Sequence, residues 1–173
     1  APLSEEKGEP HSRSVSEQGW YLKHMAPNVK GGTFAWLDPS AAYVNSRAFN
    51  SMLEDLAAPF LSRQVDVVAA IDAAGFVLGG ALAVRFGVGL LTIRKAGKLP
   101  VPTDQVNFVN YTERQQTMEL RNPAIRSGTK VLIVDQWVET GGTMNAGIEL
   151  IERQGGEIVG VVAICIEETA PGV

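Results

Sequence analysis

The sequence predicts an α/β protein in which a mostly parallel, twisted sheet is flanked by helices. Three observations predict this fold class: strand-like and helix-like segments alternate along most of the chain, the strand-like segments are almost continuously apolar, and the last third has the pattern of one strand–helix–strand unit. Sheets of this kind bind ligands beyond the carboxyl ends of their strands. We therefore expect the chemistry in the loops after Ile71, Ile93 and Asp135.

The N-terminal region passes from a polar arm into regular structure. Residues 1–30 are polar and charged and are predicted to form an arm, whereas residues 31–173 are predicted to form the main domain. Within that domain, residues 33–37 are β-prone, and the turn residues 38–40 can start a helix. Apolar residues at three-and-four spacing then predict one helix that ends near Leu61.

The middle of the chain alternates between strands and helices. A β-branched run before a tight turn predicts a strand over 65–71, and the apolar segment after the turn predicts a helix over 76–86. Further strands are predicted over 87–93, around 106–111 and around 117–121. The last two can pair as a hairpin.

The last third carries the clearest pattern. Residues 130–135 predict a buried strand, residues 144–154 a helix that ends at a Gly-Gly pair, and residues 158–166 a returning strand. This βαβ unit makes a parallel sheet the favoured arrangement.

Composition excludes several classes of protein. Of the 173 residues, 45% are hydrophobic, which is enough for one globular domain with a sizeable core. A formal net charge of −4 argues against a nucleic-acid partner. Asp72 and Arg85 interrupt the most membrane-like stretch, so no membrane partner is expected either. A single cysteine, Cys165, excludes an internal disulfide and suits a reducing, cytoplasmic location.

The segment after the predicted strand 130–135 has the composition of an anion site. Thr140-Gly141-Gly142-Thr143 offers backbone N–H groups and two hydroxyl donors at a helix start, which suits a phosphate monoester. The alternative is an ordinary capping turn. Asp135 ends the strand, so its carboxylate can accept hydrogen bonds from the vicinal hydroxyls of a sugar or, alternatively, from amides of its own loop.

Three motifs in register resemble those of the type I phosphoribosyltransferases, with the adenine phosphoribosyltransferases as the nearest branch. Residues 131–146 resemble the family's phosphoribosyl-pyrophosphate motif, residues 70–76 its pyrophosphate loop, and residues 93–103 its RKxGKLPxPT segment. The resemblance covers roughly residues 31–166. It implies the type I phosphoribosyltransferase fold, with a small hood and a flexible β-hairpin loop.

The resemblance also implies an activity. In the implied reaction, a purine base, with adenine favoured, displaces pyrophosphate from Mg²⁺-bound phosphoribosyl pyrophosphate (PRPP) and gives a nucleoside monophosphate, which is a reaction of purine salvage. The implied ligands are PRPP and the base or nucleotide, the implied cofactor is Mg²⁺, and the implied assembly is a homodimer.

The family's site roles map onto residues of this sequence. Five consecutive residues would hold the 5′-phosphate: Glu139, Thr140, Gly141, Gly142 and Thr143. Four residues on two loops would bind the pyrophosphate: Ala73, Ala74, Arg94 and Lys98. Three residues would contact the base: Phe34, Ala35 and Trp137. Asp135 and Gln136 would bind the ribose, and the catalytic residues would be Asp135 and Glu139. Asp135 would contact Mg²⁺ indirectly, through PRPP and water.

An ordinary structural role is the alternative for several of these residues. Arg94 and Lys98 would then be solvated surface charges, and Phe34 and Trp137 would be core aromatics. Glu139 would be a first-turn helix carboxylate favoured by the helix dipole instead of a general acid or base.

Four departures separate this sequence from the family pattern, and three of them, at Gln136, Ala74 and the catalytic loop, favour a second hypothesis: a catalytically weakened regulatory protein that binds PRPP or nucleotides. Gln136 replaces the usual second acid, Ala74 replaces an arginine, and Glu139 stands where adenine enzymes usually have alanine. The catalytic loop near residues 107–119 lacks the family's Glu-Tyr-Gly-Lys pattern. Three of its residues are candidate replacements: Tyr111, Glu113 and Arg114.

Overall fold

A computed structural model describes residues 17–29, 35–109 and 114–168 of the chain. The chain divides into two compact units, Ala1–Met52 and Leu53–Val173. No helix within the described ranges is long and apolar enough to cross a bilayer.

The first unit contains a short antiparallel strand pair. A 3₁₀ turn over Trp20–His24 precedes β1 (Ala26–Val29), which pairs with β2 (Ala35–Asp38). Residues predicted as part of a polar arm therefore include a strand. The predicted arm boundary, between residues 30 and 31, lies outside the described residues and stays a prediction.

The helix predicted to run to Leu61 is divided. It forms α1 (Ser40–Val44), α2 (Ser46–Ala57) and a 3₁₀ turn over Ala58–Phe60. The break is at Asn45, whose backbone is extended, with ψ 105°, and whose Oδ1 accepts a 3.0 Å hydrogen bond from the N–H of Ala48. A side-chain cap of this kind ends one helix and starts the next.

The second unit is built on a six-stranded sheet with the order β5-β6-β4-β3-β7-β9. These strands are β3 (Val67–Ile71), β4 (Gly89–Lys95), β5 (Thr103–Val109), β6 (Gln115–Arg121), β7 (Lys130–Val134) and β9 (Glu157–Val162). A separate parallel pair is formed by β8 (Trp137–Val138) and β10 (Cys165–Ile166).

The predicted fold class is confirmed, because β4, β3, β7 and β9 are mutually parallel. The predicted hairpin is also present, since β5 and β6 pair in antiparallel fashion and β6 continues antiparallel to β4. Chain order reverses between β3 and β7, which makes their carboxyl ends the switch point where such sheets bind ligands. Residues 110–113, where the predicted flexible loop would lie, are outside the described residues.

Helices cover both faces of the parallel strands. On one face, Gly79 of α3 (Gly75–Phe86) lies against Ala70 of β3. On the other, Gly147 of α4 (Gly142–Arg153) lies against Ile71. Neighbouring strand residues point to opposite faces, so the two helices pack on opposite sides. Burial of each large apolar side chain in these layers contributes about 1.5–3 kcal/mol.

Several strand boundaries differ from the prediction by a few residues. The strand predicted over 87–93 runs over Gly89–Lys95, and the one predicted over 158–166 stops at Val162. It stops because the N–H groups of Ile164 and Cys165 both donate to the carbonyl oxygen of Gln136, at 3.1 and 3.3 Å. These bonds redirect the chain into β10.

One side chain ties the base of the hairpin to the end of α4. The Gln154 Oε1 accepts from the N–H of Ala124 at 2.9 Å. Its Nε2 donates to Asp104 at 2.8 Å and to the carbonyl oxygen of Arg121 at 2.9 Å. The neighbouring Arg153 donates to the carbonyl oxygen of Gln105 at 2.8 Å. The open end of the β5–β6 hairpin is thus fixed to the helix.

Replacing either of two adjacent glycines of α3 by alanine should change the free energy of unfolding, but in opposite directions. A Cβ at Gly79 would lie 2.5 Å from the Cβ of Ala70, so Gly79→Ala should lower the free energy of unfolding by about 1–3 kcal/mol. A Cβ at Gly80 would meet nothing within 4 Å, so Gly80→Ala should raise it by about 0.5–1 kcal/mol. Urea denaturation of both variants measures the difference, and equal effects would contradict this packing of α3.

Candidate active site

Asp135 lies at the switch point, directly after β7. Its N–H donates to the carbonyl oxygen of Val162 at 2.9 Å, and its Oδ1 accepts from the N–H of Gln136 at 2.7 Å. Burial raises the pKa of Asp135 to about 7, and the single amide donor offsets only part of that effect. Within the described residues, Oδ2 makes no hydrogen bond. Asp135 therefore caps one amide of its own loop and still has an oxygen for a sugar hydroxyl.

The start of α3 lies against this carboxylate. A Cβ at Gly75 would stand 2.7 Å from the carbonyl oxygen of Val134 and 3.3 Å from Oδ1 of Asp135. Only glycine fits at this approach. The predicted pyrophosphate turn, the exposed pair Ala73 and Ala74, immediately precedes Gly75. The structure thus brings this turn beside Asp135, as the sequence predicts.

The predicted phosphate loop leads into α4. Gly141 has φ 78°, a left-handed conformation that favours glycine, and it is followed by the first helical residue, Gly142. No side chain caps this helix start, so the hydroxyls of Thr140 and Thr143 are not used as caps. The first amides of a helix have no intrahelical partner. This arrangement favours the anion site over the capping turn.

Strand β5 passes close to the phosphate loop. A Cβ at Gly142 would lie 2.7 Å from the carbonyl oxygen of Val109 and 3.3 Å from Cδ2 of Phe108. Packing therefore requires glycine at position 142, whereas the positive φ angle favours glycine at position 141.

Arg94 lies on β4 and is ion-paired, so it is not a solvated loop residue. Its Nε lies 3.2 Å from Oδ2 of Asp72; the Asp72 side chain is 12% exposed and that of Arg94 is 34% exposed. The guanidinium also lies over the ring of Phe76, with 5.8 Å from Cζ to the ring centre. Asp72 and Phe76 flank the Ala73-Ala74 turn, so Arg94 is adjacent to the predicted pyrophosphate turn. The side chain of Lys98, on the loop after β4, is exposed.

Glu119 of β6 is a residue of the site region that the sequence reasoning missed. It is 2% exposed, and its Oε1 accepts from the N–H groups of Lys98 at 2.7 Å and Leu99 at 2.8 Å. Burial raises the pKa of Glu119, but the amides of Leu99, Lys98 and Gly97 together lower it by more than burial raises it. The pKa of Glu119 therefore lies below its ordinary value. An acid in a polar strand predicts exposure, so no local signal identifies it.

Trp137 of β8, predicted to contact the base, is held by Glu167, a second residue that the sequence reasoning missed. Its indole Nε1 donates to Oε1 of Glu167 at 2.8 Å. Glu139 is half-buried, and its pKa is raised by burial and then by the charge of Glu167. Since α4 begins at Gly142, Glu139 precedes the helix, and the first-turn alternative for it is wrong.

Several predicted residues lie elsewhere. Phe34, Tyr111 and Glu113 are outside the described residues, and Ala35 is the first residue of β2 in the first unit. Arg114 immediately precedes β6. The roles of these residues, and the hood, stay predictions.

Comparison with known proteins identifies the family. The model of the phosphoribosyl transferase domain matches residues 42–171. The chain belongs to the phosphoribosyltransferase family. This phosphoribosyltransferase is 43% identical over 124 residues to the adenine phosphoribosyltransferase of Cereibacter sphaeroides (strain ATCC 17023), which covers 71% of this chain and 68% of the relative. It is 41% identical, with the same coverage, to the adenine phosphoribosyltransferase of Jannaschia sp. (strain CCS1).

Solved structures agree with this phosphoribosyltransferase fold. The adenine phosphoribosyltransferase of Rhodothermus marinus DSM 4252 is 32% identical and has a TM-score of 0.76 over 84% of each chain. The enzyme of Saccharomyces cerevisiae, solved with D-2,5-dideoxy-2,5-imino-altritol 1,6-bisphosphate and adenine, is 27% identical. Its TM-score is also 0.76, with coverage of 85% of this chain and 87% of that chain.

The raised pKa of Asp135 predicts a pH-dependent cost to the stability of this phosphoribosyltransferase. Between about pH 4 and 7 the folded protein retains a proton that the unfolded chain has released, so stability falls as pH rises through this window. Asp135→Asn removes the titration. The unfolding free energy of this variant should exceed that of wild type only slightly at pH 4, and by on the order of 2–4 kcal/mol at pH 8. Urea denaturation at both pH values measures it, and a gain independent of pH would contradict the burial argument.

Proposed function

We propose that this phosphoribosyltransferase transfers the 5-phosphoribosyl group of PRPP to a purine base, with adenine favoured, and releases pyrophosphate and a nucleoside monophosphate. The observation that carries the proposal is the convergence at the switch point: Asp135 and the Ala73-Ala74 turn lie side by side. Adenine is favoured because the relatives named above are adenine phosphoribosyltransferases. The Saccharomyces cerevisiae relative was solved with adenine and a bisphosphate, which match the base and phosphate subsites proposed below.

The loop Glu139–Thr143 binds the 5′-phosphate in this proposal. The amides at the start of α4 and the hydroxyls of Thr140 and Thr143 supply donors, and the positive end of the helix dipole favours a dianion. Glu139 contributes through its backbone. Its half-buried carboxyl group serves as the acid or base for the purine, because the raised pKa of Glu139 brings proton transfer closer to neutral pH.

Asp135 and Gln136 bind the ribose. Vicinal hydroxyls that donate to Asp135 favour its ionised form and so oppose the effect of burial on its pKa. In the reaction a nitrogen of the base forms a bond to the anomeric carbon while the bond from that carbon to the pyrophosphate oxygen breaks, and the base loses a proton. The ribosyl carbon gains positive charge as pyrophosphate departs, and the nearby Asp135 carboxylate stabilises it. Gln136 can donate to a hydroxyl but adds no charge.

The pyrophosphate binds at the Ala73-Ala74 turn, with Arg94 and Lys98 as the cationic side chains. Arg94 is already ion-paired with Asp72, whereas the side chain of Lys98 is exposed, so Lys98 is the more accessible of the two cations. An anion of this size attracts both an ammonium and a guanidinium group.

Mg²⁺ is the proposed cofactor, and the residues present fit it. Mg²⁺ takes oxygen ligands and is usually bound through one or two carboxylates together with phosphates and water. Among the described residues no three His, Cys, Asp or Glu side chains cluster as a metal site. Asp135 would therefore reach the ion through water, with PRPP oxygens as its main ligands. When bound, Mg²⁺ would neutralise charge on the leaving pyrophosphate.

The base rests on Trp137, whose orientation is fixed by Glu167. An indole face provides apolar area and stacking for a purine. Phe34 and Ala35 remain proposed as further contacts of the base. A homodimer and a cytoplasmic location belong to the same proposal, supported by the family relation and by the free Cys165.

A coupled assay of pyrophosphate release tests the function. The protein is incubated with PRPP, Mg²⁺ and, in separate reactions, adenine, hypoxanthine, guanine and the pyrimidines. We expect turnover with adenine above that with every other base. Binding of PRPP or adenosine monophosphate without turnover with any base would contradict the proposal and favour the regulatory alternative suggested by Gln136 and Ala74.

Two variants test the assignment of the phosphate and ribose groups. Thr140→Ala and Asp135→Asn should each weaken binding of adenosine monophosphate by about 1–3 kcal/mol, because each removes a hydrogen-bonding group from the ligand. Glu157→Gln, at the amino end of β9 and so at the end of the parallel strands away from Asp135, is the matched control and should leave binding unchanged. Calorimetric titration measures all three, and unchanged affinity in both site variants would place the pocket elsewhere.

A further inference from the structure

We propose that Glu119 is a positioning residue that fixes the backbone of the loop Gly97–Leu99 so that Lys98 is presented to the pyrophosphate of PRPP. This inference rests on the function proposed above. It assigns a role to a carboxylate that contacts no ligand and acts through the loop it binds.

The contacts of Glu119 converge on that loop. Its Oε1 accepts from two successive amides, those of Lys98 and Leu99, at 2.7 and 2.8 Å. The preceding residue, Gly97, has φ 82°, a left-handed conformation that favours glycine and turns the chain so that both amides face the carboxylate. Successive backbone N–H groups that meet on one anion form a nest, a geometry that binds phosphate in other proteins. Here the nest is filled by a carboxylate of the chain itself.

The loop Gly97–Leu99 also shields the Glu119 carboxylate from water. Glu119 and its cross-strand neighbour Gln105 share a face of the β5–β6 hairpin, and Met118 points to the other face, into the core. Glu119 is nevertheless only 2% exposed. Its remaining oxygen accepts from Thr103 at 3.5 Å and Gln105 at 3.4 Å. The loop and the carboxylate therefore order each other.

Hairpin stability alone does not account for a charge at this position. Within the described ranges no cation forms an ion pair with Glu119, so its charge is balanced by amide donors. Burial of a charge is costly, and an apolar residue of similar size is often no less stabilising. What the carboxylate adds is a fixed geometry for the amides on either side of Lys98. That side chain remains exposed at the edge where Arg94 and the Ala73-Ala74 turn lie.

Two substitutions distinguish the hydrogen-bond acceptor of Glu119 from the space that its side chain fills. Glu119→Met removes the acceptor and leaves the amides of Lys98 and Leu99 unpaired, whereas Glu119→Gln keeps one oxygen acceptor. Dissociation constants are measured calorimetrically for PRPP with Mg²⁺ and for ribose 5-phosphate, which lacks the pyrophosphate. Glu149→Gln, which removes an exposed carboxylate paired with Arg153 on α4, is the control and should leave both affinities unchanged.

The expected result is selective for the pyrophosphate. Glu119→Met should weaken PRPP binding by about tenfold or more, Glu119→Gln should restore most of it, and both should bind ribose 5-phosphate within about twofold of wild type. In a Lys98→Met background, Glu119→Met should add little further loss, because the two residues act in one chain of contacts. If Glu119→Met does not fold, Glu119→Gln decides the matter: the smaller loss expected of it must still appear with PRPP and be absent with ribose 5-phosphate.

Other results overturn the inference. Equal losses for both ligands would show that Glu119 only stabilises the fold, and unchanged PRPP affinity in a folded Glu119→Met would show that the loop needs no such anchor. Wild-type protein that binds neither ligand would instead overturn the proposed function. Wild-type protein that binds both, with no selective loss in the variants, would leave that function standing and reject the role of Glu119.

Discussion

The first residue of α3 lies so close to the end of β7 that a Cβ atom at Gly75 would overlap the carbonyl oxygen of Val134. This approach places the α3 helix directly against Asp135 and so contributes to the burial that raises the pKa of its carboxyl group. It also sets the Ala73-Ala74 turn beside the same carboxylate. The ribose and pyrophosphate subsites of the proposed function are thus consequences of one packing contact, and a larger residue at position 75 would separate them.

Three acidic residues near the site show how local hydrogen-bond donors and charges decide whether burial raises the pKa of a carboxyl group. Asp135 accepts one amide hydrogen bond and its pKa rises, whereas Glu119 accepts two amide hydrogen bonds as well as side-chain donors, and its pKa falls. Glu139 has a like charge nearby, from Glu167, which adds to the effect of burial on its pKa. The three groups therefore suit different tasks. Glu119 stays ionised as an anchor, Asp135 becomes ionised where sugar hydroxyls donate to it, and Glu139 is suited to proton transfer.

The fold and the positions of the candidate-site loops could be predicted from sequence because their signals are local. The apolar runs of β3 and β7 and the Gly141-Gly142 loop are each readable within a few residues. The features that were missed depend on distant partners or on one side chain. Trp137 and Glu167 are 30 positions apart, and Glu119 gains its burial from a loop about 20 residues away. The helix break at Asn45 was missed because a single side-chain hydrogen bond overrides an otherwise helical apolar pattern.

The side chain of Gln154 fixes only the open end of the β5–β6 hairpin, near Asp104 and Arg121. Towards Val109 and Gln115 the two strands are paired with each other beyond the reach of these bonds. Local opening of the hairpin therefore costs least free energy at that far end. Amide hydrogen exchange should quicken along both strands in that direction, and ligand at the adjacent Gly142 loop should slow it first at Val109.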